Sequence, residues 1–184
     1  MKKITLLSII MLLSCFIMTS QDKVSVEKSI FGVQTGALGI WVFNEYKLTN
    51  TIALRSEIGF DAGFAGGSNV NTVYVIAPSL TVEPRYYYNL NKRSKNGKII
   101  SNNSGNFLAL KFNYVPDLFV ISNVGSNATV NESFSIIPKW GIKRTVGKHF
   151  TYELGLGIGY VYYLKNINTG EVAADLHIRF GYSF

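Results

Sequence analysis

Residues 172–184 read VAADLHIRFGYSF, and their side chains alternate in character along the whole stretch. Ala, Leu, Ile or aromatic residues occupy every second position, at Ala174, Leu176, Ile178, Phe180, Tyr182 and Phe184. The positions between them are polar or small, at Asp175, His177, Arg179, Gly181 and Ser183. Because successive side chains of a β-strand point to opposite faces, the stretch predicts a strand with one apolar and one polar face.

The same alternation recurs through the chain. It predicts strands at residues 51–61, 79–90, 107–117, 133–143 and 150–164. Residues 29–48 carry it too, and we divide them near Gly36 to obtain strands at 29–35 and 40–48. The sequence therefore predicts eight strands and an all-β fold.

The composition agrees with one β-rich domain. The chain has 184 residues, which suits a single domain, and it contains 11 Tyr and 12 Phe, residues that favour strands. Only 16% of the residues are charged, against about 25% in typical soluble domains. After residue 21, no apolar run reaches the length of a transmembrane helix.

The first twenty residues are predicted to be a secretory signal peptide, followed by a barrel domain over residues 21–184. Lys2 and Lys3 precede a mainly apolar run over residues 4–18, and polar residues follow it. We expect cleavage after Ser20. Removal of the two lysines would lower the formal net charge from +7 to +5.

Cys15 is the single cysteine of the chain and lies inside this segment. Residues 12–15, LLSC, resemble the lipobox of bacterial lipoproteins, but the apolar run continues past the cysteine. We interpret Cys15 as a small apolar residue of the signal. The mature chain would then contain no disulfide, thiol nucleophile or cysteine metal ligand.

Alternation alone fits either a soluble barrel with its apolar face inside or a membrane barrel with that face outside. The density of aromatics on the apolar face and the expected export favour the membrane barrel. Acidic and basic residues then share a narrow interior, where opposite charges can pair. The expected interior charge network consists of Arg55, Glu57, Glu83, Arg85, Glu153 and Arg179.

The end of the chain resembles the C-terminal signature of Gram-negative outer-membrane barrels, most closely the small eight-stranded type. The signature is a final aromatic residue, here Phe184, preceded by aromatic residues at alternate positions, here Tyr182 and Phe180. The resemblance implies an antiparallel up-and-down barrel in the outer membrane. It also implies that these three residues form the signal that the barrel-assembly machinery recognises.

No residues suggest a catalytic, cofactor-binding or metal site. His149 and His177 lack metal-ligand spacing, and the alternating Gly155, Gly157 and Gly159 fit small interior positions better than a nucleotide loop. We expect His177 to be a structural hydrogen-bonding residue. Pro78, Pro84, Pro116 and Pro138 should mark bulges or strand ends.

The connectors are the other candidate sites. Residues 91–106 contain Lys92, Arg93, Lys95 and Lys98, which indicate either a solvated basic turn or a contact with anionic lipid head groups or an acidic partner. Stacking aromatics are missing from this segment, which argues against nucleic acid. Outer loops are expected at 36–39, 65–72, 123–131 and 165–171, and they could bind an extracellular ligand.

The sequence thus predicts a non-enzymatic envelope barrel with a filled interior and a role in membrane integrity, structure or surface interaction. Three alternatives stay open at this stage. They are an outer-membrane lipid-modifying enzyme, a small solute pore and a soluble periplasmic lipocalin-like binding protein.

Overall fold

The computed structural model describes residues 24–67, 70–124, 129–164 and 169–184. Within these ranges it describes the side chains of all residues except 64–72. The expected signal peptide, its cleavage site and Cys15 lie outside the described residues. Among the described residues, no helix is long and apolar enough to cross a bilayer.

The described chain forms a closed antiparallel barrel of eight wall strands. The wall strands, together with a short additional strand β6, are β1 (Ser29–Gly36), β2 (Gly39–Lys47), β3 (Ile52–Gly67), β4 (Val70–Tyr87), β5 (Asn106–Val115), β6 (Ile121–Ser122), β7 (Ser133–Val146), β8 (Phe150–Tyr163) and β9 (Gly170–Ser183). Each wall strand pairs with the next, and β1 pairs with β9 to close the ring. The two-residue β6 pairs with β4 beyond the end of β5, so β5 and β6 together occupy one wall position. The predicted eight-stranded antiparallel barrel is confirmed, including the division of residues 29–48.

The two ends of the barrel differ. At one end, here called the C-terminal rim, lie Phe184, the β2–β3 and β7–β8 turns, and a longer connector with helix α1 (Leu90–Lys95) and a 3-10 turn (Ser101–Asn103). At the other end, the loop rim, lie the connectors that follow β1, β3, β5 and β8.

The apolar residues of the alternating pattern face outward. Leu154, Leu156 and Ile158 are 39%, 55% and 69% exposed, whereas Glu153 is fully buried and Arg179 is 4% exposed. A soluble lipocalin-like barrel requires the reverse arrangement, with the leucines inside and the charges in water. That alternative is wrong about the faces of the strands.

Two predicted boundaries near the loop rim are wrong. Most of the expected loop 65–72 belongs to strands, because β3 continues to Gly67 and β4 begins at Val70. Pairing between the two strands extends to Gly67 and Val70 despite the small residues there, so tertiary pairing overrides the loop-like composition.

The four prolines each lie beside an interruption of one ladder. Pro84 lies where β4 and β5 lose pairing between Val82 and Arg85, and Pro138 lies in a similar gap between β7 and β8. Pro116 follows the end of β5, and Pro78 faces the break between β5 and β6. The register is unchanged across the gaps at Pro84 and Pro138, so those prolines remove a ladder donor without adding a bulge.

The β1–β2 hairpin is shorter than its neighbours. Its turn lies at residues 37–38. The last β1–β9 pair before the turn is Gly36–Arg179, and the first β2–β3 pair after it is Gly39–Asp61. Strands β3 and β9 continue toward the loop rim beyond these pairs. The wall of the barrel is therefore lower at this hairpin.

Candidate functional site: the barrel interior

Glu45 lies at the centre of a buried charge layer near the C-terminal rim. Its Oε1 atom lies 2.9 Å from Arg55 Nη1, 2.8 Å from Lys143 Nζ and 3.3 Å from Arg85 Nη1. Its other oxygen accepts hydrogen bonds from the Tyr87 hydroxyl at 3.1 Å and from Asn103 Nδ2 at 2.9 Å. Three cations and two neutral donors therefore compensate one buried carboxylate.

Arg85 links this centre to the opposite wall. It forms a two-bonded pair with Glu153, with both nitrogen–oxygen distances at 2.8 Å, and its Nε donates to Glu83 at 2.6 Å. The guanidinium also lies 4.3 Å above the ring of Phe107. A planar fork with five donors suits this position, since it can satisfy several carboxylates at once.

Arg55 and Arg179 extend the network toward β1, β2 and β9. Arg55 pairs with Glu57 and lies 3.8 Å above the ring of Phe43. Arg179 Nη1 lies 3.0 Å from both carboxylate oxygens of Glu57, and the guanidinium covers the ring of Trp41 at 4.0 Å. Aromatic rings and carboxylates thus replace water around these buried cations.

All six residues of the expected charge network lie inside the barrel and are brought together by salt bridges. The network has three further members, Glu45, Lys139 and Lys143, which the alternation places on the same inward face as the six. Lys139 pairs with Glu83 at 3.1 Å. Their pairing with the six depends on contacts across the barrel, which the alternation along one strand does not show.

A second layer closes the C-terminal rim. Val26, Ala53, Tyr87, Leu90 and Phe107 form a buried apolar cluster, with chain segments from outside the wall strands contributing to it. Residues 102–104 of the long connector are buried as well. Lys92, Lys95 and Lys98 of this connector are exposed, as expected of a solvated basic turn, whereas the Asn103–Glu45 bond holds its later residues in the barrel mouth.

A cavity of about 480 Å³ lies on the loop-rim side of the charge layer. Its polar lining includes Asp61, Lys111, Asn113, Asp175, His177 and Arg179. Lys111 and Asp175 pair at 2.8 Å, while Asp61 accepts hydrogen bonds from Trp41 Nε1 at 2.7 Å and Asn113 Nδ2 at 3.2 Å. The charges of this cavity are therefore largely paired with one another.

His177 lies between two carboxylates at the floor of this cavity. Its Nδ1 is 2.8 Å from Asp175 Oδ1, and its Nε2 is 3.1 Å from Glu153 Oε1. Both ring nitrogens thus face acids rather than a hydroxyl group that an imidazole base would activate. His149 lies at the C-terminal rim, where Nδ1 is 2.8 Å from the Ser183 carbonyl oxygen.

The alternating glycines make room for large interior groups. A Cβ at Gly155 would lie 2.7 Å from Nε2 of His177, and one at Gly157 would meet the Cβ of Lys139 at 2.7 Å. Both distances are shorter than normal contacts between carbon and a neighbouring side chain. In the described part of the chain, no cluster of His, Cys, Asp or Glu could hold a metal ion.

The residues of the expected assembly signal line the outer surface at the C-terminal rim. Phe180 and Phe184 are exposed, and the Phe184 ring lies 5.3 Å from that of Tyr182 and 6.0 Å from that of Phe31 on β1. The three side chains form an accessible aromatic edge beside the first strand. Recognition of this edge by an assembly machinery stays a prediction.

The chain resembles a known protein in structure but not in sequence. The sequence matches no protein-family model, and no curated protein matches it. Among solved structures, the chain is similar to the outer membrane protein OprG from Pseudomonas aeruginosa, with a TM-score of 0.42 and 10% sequence identity. That similarity covers 85% of this chain and 93% of the other.

Proposed function

We propose that this protein is an exported outer-membrane barrel without enzymatic activity, closed to ions, that serves a structural, membrane-integrity or surface-interaction role. The observation that carries the proposal is an apolar outer surface around an ion-paired interior. A barrel in water would expose this surface at a large cost in free energy, whereas a bilayer would cover it.

The order of side chains along the outer face supports a membrane location. Aromatic residues concentrate toward the C-terminal rim, at Phe31, Tyr46, Tyr86, Tyr88, Trp140, Tyr152, Tyr182 and Phe184. Aliphatic residues occupy the middle, and Tyr160 and Tyr162 occur toward the loop rim. Two aromatic belts around an aliphatic band match the interfaces and core of a bilayer.

The filled interior supports the absence of conduction. Arg55, Arg85, Glu45 and Glu153 have fully buried side chains, and the apolar cluster at the C-terminal rim lies beyond them. An eight-stranded barrel has little room beyond its own side chains. Ions would have to displace several paired charges to pass.

Membrane fractionation and gel migration with and without boiling test the location. We expect the protein in the outer-membrane fraction, with a band that shifts only after boiling. Recovery in the soluble periplasmic fraction without a shift would refute the membrane assignment.

Planar bilayers and lipid assays test the rest of the proposal. The purified barrel should give no single-channel steps and should leave phospholipid and lipopolysaccharide unmodified over hours. Reproducible conductance steps would replace the proposal with a small solute pore. Release or transfer of an acyl chain would replace it with a lipid-modifying enzyme.

A further inference from the structure

Arg144 is the only charged residue on the outward face of the wall strands in the part of the chain that the structure describes. It lies near the end of β7, where the even-numbered residues point outward and Lys143 and Thr145 point inward. An outward arginine is least costly near the membrane interface. Its neighbour across the ladder is Tyr152, a member of the aromatic belt at the C-terminal rim.

The contacts of Arg144 leave its charge uncompensated. Nη2 donates to Asn106 Oδ1 at 2.6 Å, and Nη1 donates to the carbonyl oxygen of Lys143 at 2.8 Å. Both acceptors are neutral. The interior arginines, in contrast, each contact at least one carboxylate.

Arg144 lines a cavity of about 490 Å³ whose charged lining residues are all positive. The others are Lys92, Arg93 and Lys98, from the connector that contains α1. None of the described residues that line the cavity is acidic. Arg93 Nη2 donates to the carbonyl oxygen of Ile99 at 2.9 Å, which is again a neutral acceptor. Four cations therefore lie around one space, which favours an anion.

Aromatic side chains place the cavity at the edge of the lipid-facing surface. Tyr88 lines it, and the Tyr88 hydroxyl accepts a hydrogen bond from Trp140 Nε1 at 2.8 Å. Leu108 is the ladder partner of Trp140, and Ile142 lies between Trp140 and Arg144 on the outer face of β7. An acyl chain lying along this wall would bring its head group to the level of the basic side chains.

We propose that this cavity binds the phosphate of an anionic phospholipid in the periplasmic leaflet. The guanidinium groups of Arg144 and Arg93 would hold the phosphate oxygens, and Lys92 and Lys98 would supply further positive charge. The acyl chains would cover the outward side chains of β5 and β7. The leaflet assignment rests on the proposed membrane location.

Native mass spectrometry of the detergent-solubilised protein tests the proposal. Phosphatidylglycerol should be retained about tenfold better than phosphatidylcholine, since the choline cation would meet four positive side chains. The variant Arg144→Gln should lose about tenfold in phosphatidylglycerol retention. Lys95→Gln makes the same charge change on α1 outside the cavity and should bind like the wild type.

Several outcomes would overturn the site. Equal retention of the two lipids, or wild-type binding by Arg144→Gln, would refute it. Displacement of the lipid by millimolar inorganic phosphate would show a site for free phosphate instead. If Arg144→Gln fails to give the boiling-dependent gel shift, the exposed pair Lys92→Gln and Lys98→Gln provides the test, with reduced retention expected. Loss of the shift in the wild type would instead refute the proposed membrane barrel.

Discussion

Arg85 and Glu153 are separated by 68 residues in the sequence and meet inside the barrel through two nitrogen–oxygen contacts of 2.8 Å. They belong to β4 and β8, which are not neighbours in the sheet. This pair therefore requires a closed barrel. It joins walls that no backbone ladder connects.

Removal of one partner should destabilise the barrel strongly. Arg85→Met would leave Glu153, Glu83 and Glu45 buried without their shared cation, so we expect a loss of about 3–5 kcal/mol in the free energy of unfolding. Urea titration, read by the boiling-dependent gel shift, measures the change. Glu153→Gln in the same background should restore part of the loss. An unchanged urea midpoint for Arg85→Met would contradict the role given to this pair.

The space at Gly155 gives a second prediction. Gly155→Val would push against the His177 ring, so we expect a loss of about 1–3 kcal/mol from overpacking. Gly63→Val is the matched control, because a Cβ at Gly63 has open space around it. Its unfolding free energy should stay within about 0.5 kcal/mol of the wild type. Equal effects of the two substitutions would show that the interior contact is unimportant.

The C-terminal aromatic edge gives a third prediction, on assembly of the barrel. Phe184→Ser should lower the amount of assembled barrel in the outer membrane several-fold, because the proposed assembly signal ends at this residue. Phe60→Ser removes another exposed outward ring, on β3 and away from the signal. It should assemble nearly as well as the wild type. If both variants assemble to the same extent, lipid contact rather than recognition accounts for Phe184.

Closure of the barrel between β1 and β9 gives a fourth prediction. Gln34 and Gly181 are ladder partners, so a Gln34→Cys, Gly181→Cys variant in a Cys15→Ser background should form a disulfide under mild oxidation. A non-reducing gel of the boiled protein detects the resulting large ring. Gln34→Cys with Ala173→Cys is the control, since Ala173 lies beyond the last β1–β9 pair. Persistent free thiols in the first variant would argue against closure.

The period-two alternation was sufficient to predict most of the fold. It identified the strands and assigned their inward and outward faces, because lipid-facing and interior residues follow the same period. It could not show how far β3 and β4 extend, since Gly-rich residues near the loop rim carry little pattern. Cross-strand pairing determines those ends.

The sites were only partly predictable. The predicted strand ends at residue 143, one residue before Arg144. Extending the alternation by one residue places Arg144 on the outer face. The inward fold of residues 102–104 had no local signal at all, because it depends on Glu45, a residue that lies 58 positions before Asn103.

The short β1–β2 hairpin makes the barrel unevenly resistant to local opening around its circumference. Five ladder pairs join β1 to β9, from Gly32–Ser183 to Gly36–Arg179, whereas the β8–β9 ladder runs from Phe150–Tyr182 to Tyr162–Gly170. Fewer backbone hydrogen bonds must break to separate the shorter ladder, so its amides should exchange with solvent sooner. The Arg179–Glu57 ion pair connects β9 to β3 behind this hairpin. The two long walls can thus remain joined while the first hairpin opens.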